Sequence, residues 1–147
     1  MNLMIKKGII VLIAFVLIQL IRPKKNESKD TTDHISNEFD VPVAIAEILQ
    51  TSCYDCHSNY TNEVWYDKVA PVSWIVSNHI NSGKEHVNFS EWMGYNAHQK
   101  KFIIAKLIQS VARNTMPTKG YVMLHKQAAL SKEQQELLKE WFQTLKK

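Results

Sequence analysis

The sequence predicts an all-α fold, a small helical domain with long irregular loops behind an apolar N-terminal helix, and three observations carry that expectation. Apolar residues recur at three- and four-residue steps in several stretches; strand-like alternation is not apparent; Gly and Pro punctuate the gaps. With 147 residues, 45% of them hydrophobic, the chain has material for one modest core. The expected boundaries are 1–25 for a signal anchor or transmembrane helix, 26–39 for a polar linker and 40–147 for the folded domain.

Residues 8–21 (GIIVLIAFVLIQLI) form an almost unbroken apolar run behind Lys6 and Lys7, the layout of an export signal. Fourteen residues at 1.5 Å each reach only about 21 Å, against a hydrocarbon core of about 30 Å. A membrane helix here must recruit flanking residues and snorkelling lysines. Gln19, Leu20, Ile21, Arg22 and Pro23 do not make a small-x-small cleavage site, so the run is expected to stay attached as an anchor. Residues 22–39 are polar, charged and without periodicity, the composition of a tether that buries no core.

The first domain helix is expected to start at Asp40 as N-cap, with Pro42 in the first turn. Ile45, Ile48, Leu49, Ser52, Cys53 and Cys56 then recur on one face. A second is expected over 71–82, from Pro71 to just before Gly83, and a third over 97–113, with Phe102, Ile103, Leu107 and Val111 as its apolar stripe. Residues 114–121 (NTMPTKGY) read as a loop. Ser131 with Gln134 forms a capping box for a last helix, whose apolar face is Leu137, Leu138, Trp141, Phe142 and Leu145.

The formal net charge of +4 raises nucleic acid as a partner, but the excess is confined to one end. Lys6, Lys7, Arg22, Lys24 and Lys25 precede any acid, which leaves 13 basic against 14 acidic residues from Asn26 onward, formally −1. A domain without a basic surplus lacks the face that phosphate recognition needs, so no nucleic-acid partner is expected.

Cys53-Tyr54-Asp55-Cys56-His57 is C-x-x-C-H, the attachment signature of c-type haem. On a helical turn, thiols at i and i+3 share one side and can reach the two vinyl groups of a porphyrin, while the histidine at i+4 offers its imidazole to the iron. From two cysteines and six histidines in the whole chain, this pattern arises by chance roughly once in a thousand such sequences. Other readings of the residues remain. A thioredoxin-like redox pair would want the cysteines after a strand. A zinc site could combine Cys53 and Cys56 with two of His57, His79 and His86, without the usual finger spacing. A disulfide between the two cysteines would close too short a loop to stabilise much.

With the motif and the sequences around it, CYDCHSNYTNEVWYDKVAPVSWIVSNHINSGKEHVNFSEW and MPTKGYVMLHKQAALS, residues 40–146 resemble the bacterial haem-binding domain family, small exported proteins within the cytochrome c class. The order of helix, C-x-x-C-H, middle helices, Met-Pro loop and final helix is similar to class I cytochrome c. The resemblance implies one covalent haem c with His57 as an iron ligand, first and last helices packed together, and Met116, next to Pro117, as the opposite ligand. A thioether in that place stabilises ferrous iron. His79 and His125, and after them His86, are the alternative ligands. By analogy with the same class, the carbonyl of Pro71 is expected to receive the second ring N–H of His57, although Ser58 and Asn59 stand where that class differs. Trp74 is expected as a flat neighbour of the haem.

The implied function is electron transfer without catalysis. The implied location is the periplasmic side of a bacterial inner membrane, and the implied partners are redox proteins of a respiratory chain. A haem sensor or peroxide-reducing protein with an exchangeable sixth ligand is the other reading; Arg113, the only arginine of the domain, would be its one candidate distal cation.

Overall fold

The computed structural model describes residues 3–146, and among them every regular element is helical. The helices are α1 (Leu3–Ile18), α2 (Val43–Ser52), α3 (Tyr54–His57), α4 (Val72–His86), α5 (Ala97–Ala112), α6 (Lys119–Leu124) and α7 (Lys132–Thr144), with short 3-10 turns between several of them. The core is built where α7 lies along α5 and against α2. Its fully enclosed members include Ile45, Leu49, Phe89, Trp92, Ile104, Leu138 and Phe142. The packing of α2 on α7 joins the first and last helices of the domain.

Local chemistry explains where the helices begin and end. Asn96 and Gln99 form a reciprocal capping box at the start of α5, and Ser131 and Gln134 do the same for α7, each satisfying otherwise unpaired N–H groups. The C-terminus of α5 closes in a Schellman motif: Asn114 takes φ 52°, its N–H donates to the Val111 carbonyl, and the Thr115 N–H donates to the Ser110 carbonyl. Asparagine does here what glycine usually does, because its short polar side chain tolerates the left-handed region.

Several expectations are corrected. Pro42, not Asp40, is the N-cap of α2, without a side-chain cap bond. Gly83 does not stop α4, which runs on to His86. Phe102 is 59% exposed, and Ile104 takes its place in the core beside Ile103 and Val111. Part of the expected 114–121 loop is the start of α6, capped by the Thr118 hydroxyl, which accepts from the Tyr121 N–H.

The segment 26–39, expected as a free polar tether, is laid down on the domain. The Asn26 side chain donates to the Ser58 carbonyl and the Thr61 hydroxyl, and Thr61 N–H returns a bond to the Asn26 carbonyl. Ser28 N–H donates to the Asn59 carbonyl, and Ile35 is completely buried in the core. One fully buried apolar residue, with backbone pairing upstream of it at residues 26, 28 and 33, anchors a stretch whose overall composition is polar.

No helix among the described residues is long and apolar enough to cross a membrane. α1 has 16 residues, about 24 Å of helix, and none of its residues is buried. The chain leaving it is tied down. The Gln19 side chain donates to the Ala70 carbonyl (3.1 Å) and accepts from the Ala70 N–H (2.9 Å), and the Trp74 indole N–H donates to the Ile21 carbonyl (2.8 Å).

Candidate functional site

The attachment motif sits at the end of α2, where Cys53 is at once the C-cap of that helix and the N-cap of the single turn α3. The N–H groups of Cys56 and His57 both donate to the Cys53 carbonyl, so the chain from Cys53 to His57 is wound as one turn. Cys53 and Cys56 are both free thiols. Burial pushes Cys53 up to about 12 and Cys56 up to about 11, so both are protonated at neutral pH. That is the opposite of the lowered pKa a thioredoxin-like pair requires. Among the described residues no group of three or more His, Cys, Asp and Glu side chains is placed to hold a metal ion, so the zinc reading finds no donor set.

His57 is held by α4. Its Nδ1 lies 2.9 Å from the Gly83 carbonyl and 3.1 Å from the Val87 carbonyl. Two carbonyl oxygens can only accept, so Nδ1 carries the proton and Nε2 keeps its lone pair for a Lewis acid. Burial lowers the pKa of the ring and keeps it neutral, against the raising effect of the two carbonyl bonds. Phe89 meets the imidazole edge-on at 6.5 Å and stacks on Trp92 behind it, fixing the ring's plane from the core side.

The close approach that permits this depends on a missing side chain. A Cβ at Gly83 would stand 2.4 Å from the Cys56 carbonyl oxygen and 3.2 Å from the Cys56 Cβ. α4 and the attachment turn therefore meet backbone to backbone. Here glycine is required by proximity rather than by its φ angle.

The expected Pro71 carbonyl does not receive His57; it accepts from the Trp74 and Ile75 N–H groups in the first turn of α4. Trp74, nine residues before Gly83, lies half a turn round α4 from the face that meets Cys56, and its indole N–H donates to the Ile21 carbonyl. The C-terminal end of α4 meets the Nδ1 side of the imidazole through Gly83 and the Val87 that follows it. His86 Nδ1–H donates to its own helix at Ser82. His125 Nε2 is taken by the Tyr66 hydroxyl, and its ring stacks on Tyr121 with centroids 4.2 Å apart. Met116 lies on the loop between α5 and α6 with its side chain 40% exposed.

A second constellation was not legible beforehand. Asp55, inside the motif, is nearly buried and accepts from the Asn62 backbone and side-chain N–H groups and from the Tyr121 hydroxyl at 2.6 Å. Burial, and then the bond to Asp55, drive the Tyr121 pKa upward. The only available signal was the acid itself, since a carboxylate on the inner side of a packed turn has to find donors.

The residues present fit a covalently held porphyrin. Two unpaired thiols stand at i and i+3, and a neutral imidazole has one nitrogen fixed and the other uncommitted. Outside α1, the large apolar side chains left exposed fall mainly on 65–75 and 116–124, among them Trp65, Val72, Ile75, Met116, Met123 and Leu124. The first segment reaches the residue that follows the second where Tyr66 touches His125. Exposed apolar surface on both is what a flat hydrophobic ligand would cover. A cleft of about 630 Å³ elsewhere, between residues 19–29 and α4, includes none of Cys53, Cys56 and His57 in its walls.

Comparison with curated proteins and with solved structures gives no match. The family described as Haem-binding domain matches residues 13–144, which takes in the attachment turn, the α4 backbone that holds His57 and the loop carrying Met116. On that match the chain belongs to the Haem-binding domain family.

Proposed function

We propose that this haem-binding protein is a membrane-anchored monohaem c-type cytochrome that transfers electrons on the periplasmic side of a bacterial inner membrane and catalyses no reaction of its own. The observation that carries the reading is His57, with Nδ1–H directed at the Gly83 and Val87 carbonyls beside two unpaired thiols. Cys53 and Cys56 would hold the haem, each S–H adding across a vinyl group without an oxidant, and haem iron, when bound, would supply a one-electron couple. His57, with its Nε2 lone pair, and in this proposal the Met116 thioether would ligate it, a pair that suits both oxidation states.

The anchor in this reading is α1, whose side chains from Ile9 to Leu17 are all apolar. The partners in this reading are redox proteins of a respiratory chain. Acid–acetone extraction of the denatured protein tests the covalent bond directly: the haem is expected to stay with the chain. Haem that leaves with the organic phase would overturn the c-type reading while leaving haem binding itself intact.

A further inference from the structure

We propose that Tyr121 is a positioning residue for the iron's sixth ligand, its hydroxyl latching the loop that carries Met116 onto Asp55 of the attachment motif. This rests on the reading of Met116 given above.

The start of the loop is bonded only to the end of its own helix and, through Asn114, to Gln135. Arg113, Asn114, Thr115 and Met116 are all exposed, and α6, with six residues, is too short to persist without tertiary contacts. What fixes it is a pair of clasps reaching the attachment side. Tyr121 O–H donates to Asp55 Oδ2 at 2.6 Å, and the Tyr66 hydroxyl is hydrogen-bonded to His125 Nε2 at the far end of α6. The rings of Tyr121 and His125 stack within 11° of parallel, which joins the two clasps into one assembly.

Asp55 is suited to the task. Its Oδ1 is committed to Asn62, so its position is set by the chain after the motif, and Oδ2 faces α6. A charged acceptor shielded from water makes the stronger class of hydrogen bond. Asp55 lies between the two cysteines and two residues before His57, so the latch refers the loop to the same turn that sets the other iron ligand. Met116 is five residues upstream of Tyr121, with only the Thr118 cap between them.

The test is a double-mutant cycle on the ferric, haem-loaded full chain, with imidazole as the competing ligand. Tyr121→Phe keeps the ring and its stack and removes only the hydroxyl. It is expected to tighten imidazole binding about tenfold, the scale set by losing one hydrogen bond to a charged group, and to raise the high-spin fraction of the absorption spectrum. Met116→Ala is expected to tighten binding at least as much, and adding Tyr121→Phe to it should change nothing further. A merely structural Tyr121 would lower the melting temperature without moving spin state or imidazole affinity, and that result overturns the proposal. So does a Tyr121→Phe effect that is equally large in the Met116→Ala background. If Met116→Ala alone binds imidazole like the parent, the methionine reading itself fails, and the positioning role fails with it. A Met116 effect with a silent Tyr121→Phe removes the latch alone.

Discussion

Replacing Gly83 with alanine tests the contact on which the site depends. The added Cβ would meet the Cys56 carbonyl oxygen at 2.4 Å, where ordinary contact begins at 3.4 Å, so α4 and the attachment turn must separate by about 1 Å. Overpacking of this kind costs about 1–3 kcal/mol, and alanine's better helix propensity returns at most about 1 kcal/mol. The same retreat stretches the 2.9 Å bond from His57 Nδ1 to Gly83 beyond hydrogen-bond length, and weakening a buried donor's bond adds about 1–3 kcal/mol. The net loss is about 1–6 kcal/mol, a fall in melting temperature of roughly 4–24 °C for a chain of this size. Thermal unfolding of the haem-loaded protein by far-UV circular dichroism reads it. Gly120→Ala is the control: nothing lies within 4 Å of a Cβ there, so the same substitution in α6 should be neutral or stabilise by up to about 1 kcal/mol. If Gly83→Ala melts at or above the parent temperature, the backbone contact does not hold His57 and the reasoning fails.

Two further outcomes follow from the N-terminal segment. Ile35→Ala should cost about 2–5 kcal/mol in chemical denaturation, since the side chain is wholly enclosed; a loss near zero would restore the picture of a loose tether. Trp74→Phe should cost about 0.5–1.5 kcal/mol for the lost bond to Ile21 and leave the Soret band unmoved. A shifted Soret maximum would instead place that ring beside the porphyrin.

What the sequence made legible was the chemistry that is local in the chain. The C-x-x-C-H turn, the Ser131–Gln134 box and the apolar face of α7 each rest on spacings of three or four residues; the turn and the box stand where expected, and so does the face apart from Leu137, which is exposed. Contacts between distant segments left weaker traces. Gly83 looked like a helix stop, because nothing in its neighbours shows that a carbonyl from residue 56 will press against it. The Val87 carbonyl, like any backbone group, carries no sequence signal at all. The Pro71 carbonyl was expected at His57 by analogy with another class of protein, whereas it is spent on the first turn of α4, and nothing around Trp74 shows that its indole N–H will reach Ile21. Ile35 was hidden by its polar surroundings, since a single apolar residue has no period.

The bonds from Gln19 to Ala70 and from Trp74 to Ile21 set the reach of the molecule. An unstructured link over the 18 residues 22–39 would let the domain wander over roughly 20–25 Å. Stitched down at residues 19, 21, 26 and 28, with Ile35 in the core, the same stretch gives almost no slack. The apolar helix and the domain turn together as a short arm, so whatever seats α1 also sets the direction in which the attachment turn faces. The attachment turn is then presented in one orientation rather than in a cloud of them.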